Sequence, residues 1–329
     1  AMREAMAGAE VGDDCYREDP TVRQLEDKAA QLLGKEAALF VSSGTMGNLI
    51  ALLAHTQPGQ EVLLEANSHI YSYEAGGLAR IAGLVPRLIE TKHGLITPQQ
   101  LKEAVRPANI QLAELTLFCL ENTHNRAGGS VLPQAEVDSV VGLAKEMGLK
   151  THLDGARLIN AAIAQDLPPA RLAEPFDSVM LCLSKGLAAP VGSVLAGSTE
   201  FVERARRVRR LLGGGMRQAG VLAAAGIVAL TDMPSKLKYD HVRAKRLGEG
   251  LQMIPGLKVR NEVQTNIVML EITSPQWDSD RLTQAWRDKG ILANGISPQA
   301  LRLVTHYEIG DHDVEKVIEI TTQLMTSAS

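Results

Sequence analysis

Short apolar runs alternate with helical patterns along much of this chain, and that alternation constrains its fold more than any other feature. Val62 to Leu64, Leu84 to Ile89, Leu115 to Leu120, Leu149 to Leu153 and Ser178 to Ser184 read as strands. Helical stretches lie between them, one opening at Thr97-Pro98 and another running from Pro133 to Met147, amphipathic and closed by Gly148. Such a succession predicts a parallel sheet with helical crossovers, the α/β class. Upstream, Asp19-Pro20 caps a predicted helix that ends at Gly34 and carries an apolar stripe of Val22, Leu25, Ala29, Leu32 and Leu33. A strand from Ala37 to Val41 follows, and the turn Ser42-Ser43-Gly44-Thr45-Met46-Gly47-Asn48 leads into an apolar helix from Leu49 to His55. Small and hydroxylated residues at a helix start leave backbone N–H groups open to an anion, although the same residues also make ordinary caps.

The run Ser178 to Ser184 delivers a lysine, Lys185, directly onto Gly186. An ammonium at the end of a core strand loses hydration, which favours the free amine and its attack on a carbonyl. A solvated lysine at a glycine turn is the plainer reading of a lone Ser-Lys-Gly. What decides between them is a second strand, Leu149 to Leu153, that runs into Asp154-Gly155. Asp154 and Lys185 then sit at the same edge of one parallel sheet, where open α/β sheets bind ligands. An amine and a carboxylate in one crevice fit pyridoxal phosphate, the lysine forming a Schiff base and the aspartate keeping the pyridine nitrogen protonated as an electron sink. His69, in Asn67 to Glu74, and His124, in Glu121 to Asn125, lie in loops that follow strands and so can face the same crevice.

A chain of 329 residues exceeds one comfortable core, which predicts two domains, here 1–232 and 233–329. With 45% hydrophobic and 22% charged residues it has the composition of an ordinary globular protein, and a net charge of −4 without charged blocks gives no reason to expect nucleic acid or anionic membrane as partner. No apolar run has the length of a membrane span, and the start lacks a signal-peptide pattern. The three cysteines, Cys15, Cys119 and Cys182, have no metal-ligand spacing and read as reduced packing residues, so the expectation is a cytoplasmic protein with no metal site.

Beyond Ser198, Thr199 to Leu212 is a basic helix whose arginines read as a solvated face, and the Ala-rich run Val221 to Leu230 is apolar all round and must be buried. The second domain is expected to be small and α+β, with a helix through Gly250, strands at Leu257 to Val259, Ile267 to Ile272 and Leu301 to Val304, a helix about Arg281 to Lys289, and a closing helix. Arg302 stands on the last strand, either as an edge charge or as a clamp for a carboxylate.

GDDCYREDPTV, SSGTMGN, SHIYSYEAGG, ENTHN, HLDGARL, LSKGLAAPVGS, GGGMRQAG and LRLVTH together resemble the low-specificity L-threonine aldolases, pyridoxal phosphate enzymes of the aspartate aminotransferase-like fold (fold type I), over nearly the whole chain. The resemblance implies a mostly parallel seven-stranded sheet flanked by helices, a smaller C-terminal α+β domain, and a homodimer or dimer of dimers (a homotetramer) with active sites at the subunit boundary. It implies that Lys185 holds the cofactor, Asp154 its pyridine nitrogen and His69 its ring face; that Gly44 and Thr45 bind its phosphate, with Arg210 and Arg217 of the neighbouring subunit; that Arg157 and Arg302 hold the substrate carboxylate; and that His124 lies near the substrate hydroxyl. Family members often carry lysine where Arg210 stands and glycine where Arg17 stands, and begin further upstream with a strand whose serine also contacts the carboxylate, whereas this sequence starts at Ala1-Met2-Arg3.

The implied reaction is reversible cleavage of L-threonine, L-allo-threonine and other 3-hydroxy amino acids to glycine and an aldehyde. His69 and His124 are the candidates for removing the hydroxyl proton. A β-eliminating lyase or aminotransferase on the same scaffold, or a scaffold without activity, is the alternative.

Overall fold

The structure is a computed structural model, and it describes residues 1–107 and 109–327, of Ser327 the backbone only. By contacts the chain forms two compact units, one of residues 1–126 and 132–235, the other of 127–131 and 236–329.

The first unit holds a seven-stranded sheet in the order β1-β7-β6-β5-β4-β2-β3, formed by β1 (Ala37–Val41), β2 (Glu61–Glu65), β3 (Val85–Ile89), β4 (Leu115–Glu121), β5 (Lys150–Asp154), β6 (Ser178–Cys182) and β7 (Ser193–Gly197). Strands β3, β2, β4, β5 and β6 are mutually parallel, and β7 runs against both of its neighbours. Its helices are α1 (Met2–Ala7), α2 (Pro20–Leu33), α3 (Gly44–His55), α4 (His69–Ser72), α5 (Gly77–Arg80), α6 (Pro98–Ala104), α7 (Gln134–Glu146), α8 (Leu158–Gln165), α9 (Pro169–Ala173), α10 (Thr199–Leu211) and α11 (Gly220–Asp232).

Strands β2, β6 and β7 are buried along their whole length, the signature of a sheet covered on both faces. Fully buried leucines and phenylalanines such as Leu39, Phe40, Leu63 and Phe118 each stabilise the fold by about 1.5–3 kcal/mol relative to an exposed side chain. Helix α2 forms where its sequence directs it. Asp19 caps it, Pro20 opens it, Val22, Leu25, Ala29 and Leu33 are buried, and Gly34 ends it in the left-handed conformation that glycine adopts freely. Helix α11, apolar on all sides, packs against α1 and α2.

Several elements depart from the sequence reading. Strand β6 stops at Cys182, so Lys185 stands in the turn beyond it, where Leu183 N–H and Ser184 N–H both donate to Gly192 O. Helix α3 begins at Gly44 rather than Leu49, because Ser43 caps it by accepting from Met46 N–H. Helix α10 is not simply solvated. Its Arg209 is 3% exposed and pairs at 2.7 Å with buried Asp14. Arg17 adopts the left-handed conformation, φ 62°.

The second unit carries an antiparallel sheet in the order β10-β11-β9-β8, made of β8 (Leu257–Val259), β9 (Ile267–Ile272), β10 (Asn294–Ser297) and β11 (Ala300–Val304), with α12 (Leu237–Gln252), α13 (Ser279–Arg287) and α14 (Asp311–Ser327). Leu247, Leu251, Leu270, Leu282, Trp286 and Leu301 fill its core, and the Trp286 indole N–H donates to Thr321 Oγ1.

Candidate active site

The parallel strands end side by side, and β2, β4 and β5 each end on a carboxylate, Glu65, Glu121 and Asp154. Register aligns Glu121 on β4 with Asp154 on β5, and Asp154 with Met180 on β6, two residues before that strand ends. Asp154 is 1% exposed and accepts from Asn48 Nδ2 at 2.9 Å and from Ala156 N–H at 3.1 Å. Lys185 is half-buried in the turn after β6, and its charge reaches both His69 and Cys182.

The start of α3 completes one wall. A Cβ on Gly44 would lie 2.7 Å from Cys182 Sγ, so only glycine lets α3 pack this closely against the end of β6. The Ser43 side chain takes the Met46 N–H and its carbonyl takes that of Gly47, which leaves the N–H groups of Gly44 and Thr45 to point outward from a positive helix end.

Two histidines stand above the strand ends, each against a glutamate. His69 opens α4, its N–H donates to Glu121 at 2.6 Å, and its Nδ1 meets Glu74 Oε1 at 2.9 Å. The Glu74 hydrogen bond raises the His69 pKa above its ordinary 6.5 against the opposing effect of burial, with Asp154 adding to the rise and Lys185 resisting it. Ligand atoms of His69, Glu74 and Asp154 all lie within 4.8 Å of one another, which places the imidazole beside the carboxylate. His124 is 1% exposed. Burial by itself would lower its pKa, but the 3.0 Å hydrogen bond to Glu65 and the Glu121 charge raise it above 6.5 instead. Burial pushes the Glu121 and Glu74 carboxyls up.

Of the other predicted residues, Arg157 precedes α8, with Nη1 3.5 Å from Asn125 Oδ1 in the loop after β4. Arg210 and Arg217 lie in the first unit, with Arg206 and Arg209, around a cleft of ≈ 260 Å³ lined also by Asp14 and Cys15. Arg217 pairs with Asp13 at 2.6 Å, and Arg210 Nη1 lies 3.7 Å from Cys15 Sγ. Arg302 is on β11 of the second unit, opposite Asn294 and Met269. The sequence reading passed over Asn48, Glu65, Glu74 and Glu121, although three of them stand inside the motifs SSGTMGN, SHIYSYEAGG and ENTHN. For Asn48, Glu65 and Glu121 the signal was a polar residue at the end of an apolar run or inside an apolar helix, where burial demands a partner; Glu74, between α4 and α5, gave no such signal.

The order of strands, and a lysine and a buried carboxylate at adjacent ends, define the class of the fold type I pyridoxal phosphate enzymes. The structure resembles that of Leishmania major threonine aldolase with a TM-score of 0.85, over 98% of this chain and 95% of that one, at 20% identity. The family model for the beta-eliminating lyases matches residues 1–274. Low-specificity L-threonine aldolase 1 of Arabidopsis thaliana is 44% identical over 99% of this chain and 92% of its own, and the low specificity L-threonine aldolase of Escherichia coli K12 is 39% identical over 96% and 93%. The chain belongs to the beta-eliminating lyase family and, within it, to the low-specificity L-threonine aldolases.

Proposed function

We propose that the protein is a pyridoxal phosphate-dependent aldolase that cleaves L-threonine, L-allo-threonine and other 3-hydroxy amino acids reversibly to glycine and an aldehyde. The observation that carries this reading is the meeting of Lys185, Asp154 and the open start of α3 at one end of the parallel sheet. The residues fit the cofactor chemically. A half-buried amine can hold its aldehyde carbon, a buried carboxylate its pyridine nitrogen, and the N–H groups of Gly44 and Thr45 its phosphate. Bound there, pyridoxal phosphate supplies an electron sink for the carbanion left when the Cα–Cβ bond breaks.

The chain's own groups do the rest. Asp154 would hold the pyridine nitrogen, and His69, within reach of that carboxylate, would lie against the ring. Arg157 and Arg302 would take the substrate carboxylate, a planar anion suited to guanidinium, and so would orient the bonds at Cα. His69 or His124 accepts the β-hydroxyl proton when its imidazole is neutral. Arg210 and Arg217 serve the phosphate of a second copy, a reading supported by the arginine-lined cleft in which they lie, and the working form is a homodimer or a homotetramer. Its home is the cytoplasm, a reading supported by three unpaired cysteines, two of them buried. Among the described residues no single helix is long and apolar enough to cross a membrane.

The test is incubation with L-threonine and L-allo-threonine, assaying acetaldehyde and glycine against ammonia and keto acid. Acetaldehyde is the expected product, and Lys185→Ala should abolish it. Ammonia and keto acid instead would assign a β-eliminating activity, and wild-type turnover in Lys185→Ala would remove that lysine from the reaction.

A further inference from the structure

Behind Asp154 and its partner Asn48, a file of polar side chains continues across the first unit, through His152, Ser178 and His55, which the site described so far does not use. Asn48 Nδ2 lies 2.8 Å from Glu74 Oε1 and 2.9 Å from Asp154 Oδ2; Asn48 Oδ1 lies 3.1 Å from His152 Nε2; His152 Nδ1 lies 2.8 Å from Ser178 Oγ; and Ser178 Oγ lies 2.7 Å from His55 Nε2. Asn48, His152 and Ser178 are 2% exposed or less. His55 is stacked on Phe201, with ring centroids 4.5 Å apart.

One placement of the hydrogens satisfies every contact in the file. Two carboxylates flank one end of the Asn48 amide, so that end is the NH₂ group, donating to both, and the carbonyl faces His152. A carbonyl only accepts, so His152 carries its proton on Nε2. Its Nδ1 then accepts from the Ser178 hydroxyl, which spends its single hydrogen there and accepts in turn from His55 Nε2–H. His55 Nδ1 is left buried without a partner, which suits a lone pair far better than an orphaned N–H. Burial keeps both rings neutral. It pushes the His55 pKa down to about 4, helped by Arg204 and Lys150 against Asp177, and that of His152 to about 3, helped by His55 against Asp154 and a hydrogen bond to the Ser178 backbone. Every donor therefore points along the file toward Asp154, and aligned hydrogen bonds polarise one another.

We propose that His55, Ser178, His152 and Asn48 form a one-directional hydrogen-bond relay that positions the Asp154 carboxylate for the ring nitrogen of the cofactor. This inference rests on the cofactor reading above. The four are positioning residues and touch neither substrate nor cofactor. The relay explains why two histidines and a serine occupy strand and helix positions where an apolar residue would pack without the cost of burying polar atoms.

The test compares the affinity of the apoprotein for pyridoxal phosphate with that for its 1-deaza analogue, whose ring carbon gives Asp154 nothing to pair with. Wild type should prefer pyridoxal phosphate. His152→Leu and the small change Ser178→Ala should each erode that preference on the order of tenfold, as expected for losing one charge-assisted hydrogen bond or its support. His152→Gln, whose side-chain NH₂ can still donate to Asn48, should restore most of it. Nitrogen-15 spectra of the apoprotein at neutral pH should show His55 and His152 as neutral Nε2–H tautomers. Unchanged preference in folded His152→Leu and Ser178→Ala overturns the relay, as does an Nδ1–H tautomer at either histidine. A wild type that binds neither compound overturns the cofactor reading instead, and the relay then stands or falls on the tautomers.

Discussion

His124 is almost wholly buried, yet it binds a proton more tightly than an exposed imidazole, and His69 does the same at the edge of the site. In both cases a glutamate accepts from the ring, Glu65 from His124 and Glu74 from His69. A base works only when unprotonated, so kcat/KM should climb with pH through a value above the ordinary 6.5. Glu65→Gln removes the anion that holds the His124 proton. If His124 is the base, the rise in kcat/KM should move down by about one to two pH units, the equivalent of one hydrogen bond to a charged group. Glu74→Gln makes the matching test for His69. A rise that neither substitution moves would exclude both histidines as the base. Replacing the true base with Asn should cost about 10²- to 10⁴-fold in kcat. At this scale the sequence showed Lys185, Asp154 and both histidines because each interrupts or follows an apolar run. It hid Glu65 and Glu121, whose meaning lies in the histidine and the backbone N–H groups that chain folding brings to them.

Asp19 shows how one residue ties several elements together. It caps α2 through Val22 N–H at 3.0 Å, and its other oxygen accepts from Gly12 N–H at 3.2 Å and from Gly220 N–H, at the start of α11, at 2.8 Å. A Cβ on Gly220 would lie 2.5 Å from that carboxylate, so the glycine is what lets α11 come close enough to donate. Asp19→Ala should therefore cost more than the roughly 1 kcal/mol of a lost cap, since two further N–H groups lose their acceptor, and a total of about 3–5 kcal/mol is expected from chemical denaturation. A loss near 1 kcal/mol would mean that water or a shifted backbone satisfies those groups. The sequence announced this helix through Asp19-Pro20 and Gly34, and it announced the parallel strands through their apolar runs. It was silent on β7, a strand of small residues between a glycine turn and a basic helix, and on β10, which is exposed along its length and so carries no burial pattern. Helix α10 misled for a related reason. Five arginines read as a wet surface until Asp14, far upstream, is seen to bury one of them.

On the scale of the whole molecule, the neutral histidines of the first unit make folding sensitive to acid. Unfolded, His55 and His152 take up protons near pH 6.5; folded, they resist until about pH 4 and about pH 3. Between those limits the unfolded chain binds more protons, so stability is fully present above pH 6.5 and is lost as pH falls toward the folded values, at about 1.4 kcal/mol per pH unit for each ring. Buried carboxyls whose pKa is raised, Glu26, Glu74 and Glu121, act in the opposite sense over their own range, so the raw acid limb is a sum of both. A difference between two holoproteins separates the terms. His55→Phe keeps a ring to stack on Phe201 and removes one titrating group, while the carboxyls remain in both proteins. Urea unfolding of wild type and His55→Phe at a series of pH values should give lines that converge on acidification, the variant's slope being shallower by about 1.4 kcal/mol per unit from near pH 6 to near pH 4. Parallel lines would mean that His55 takes up its proton over the same pH range folded as unfolded, so that burial does not hold the ring neutral.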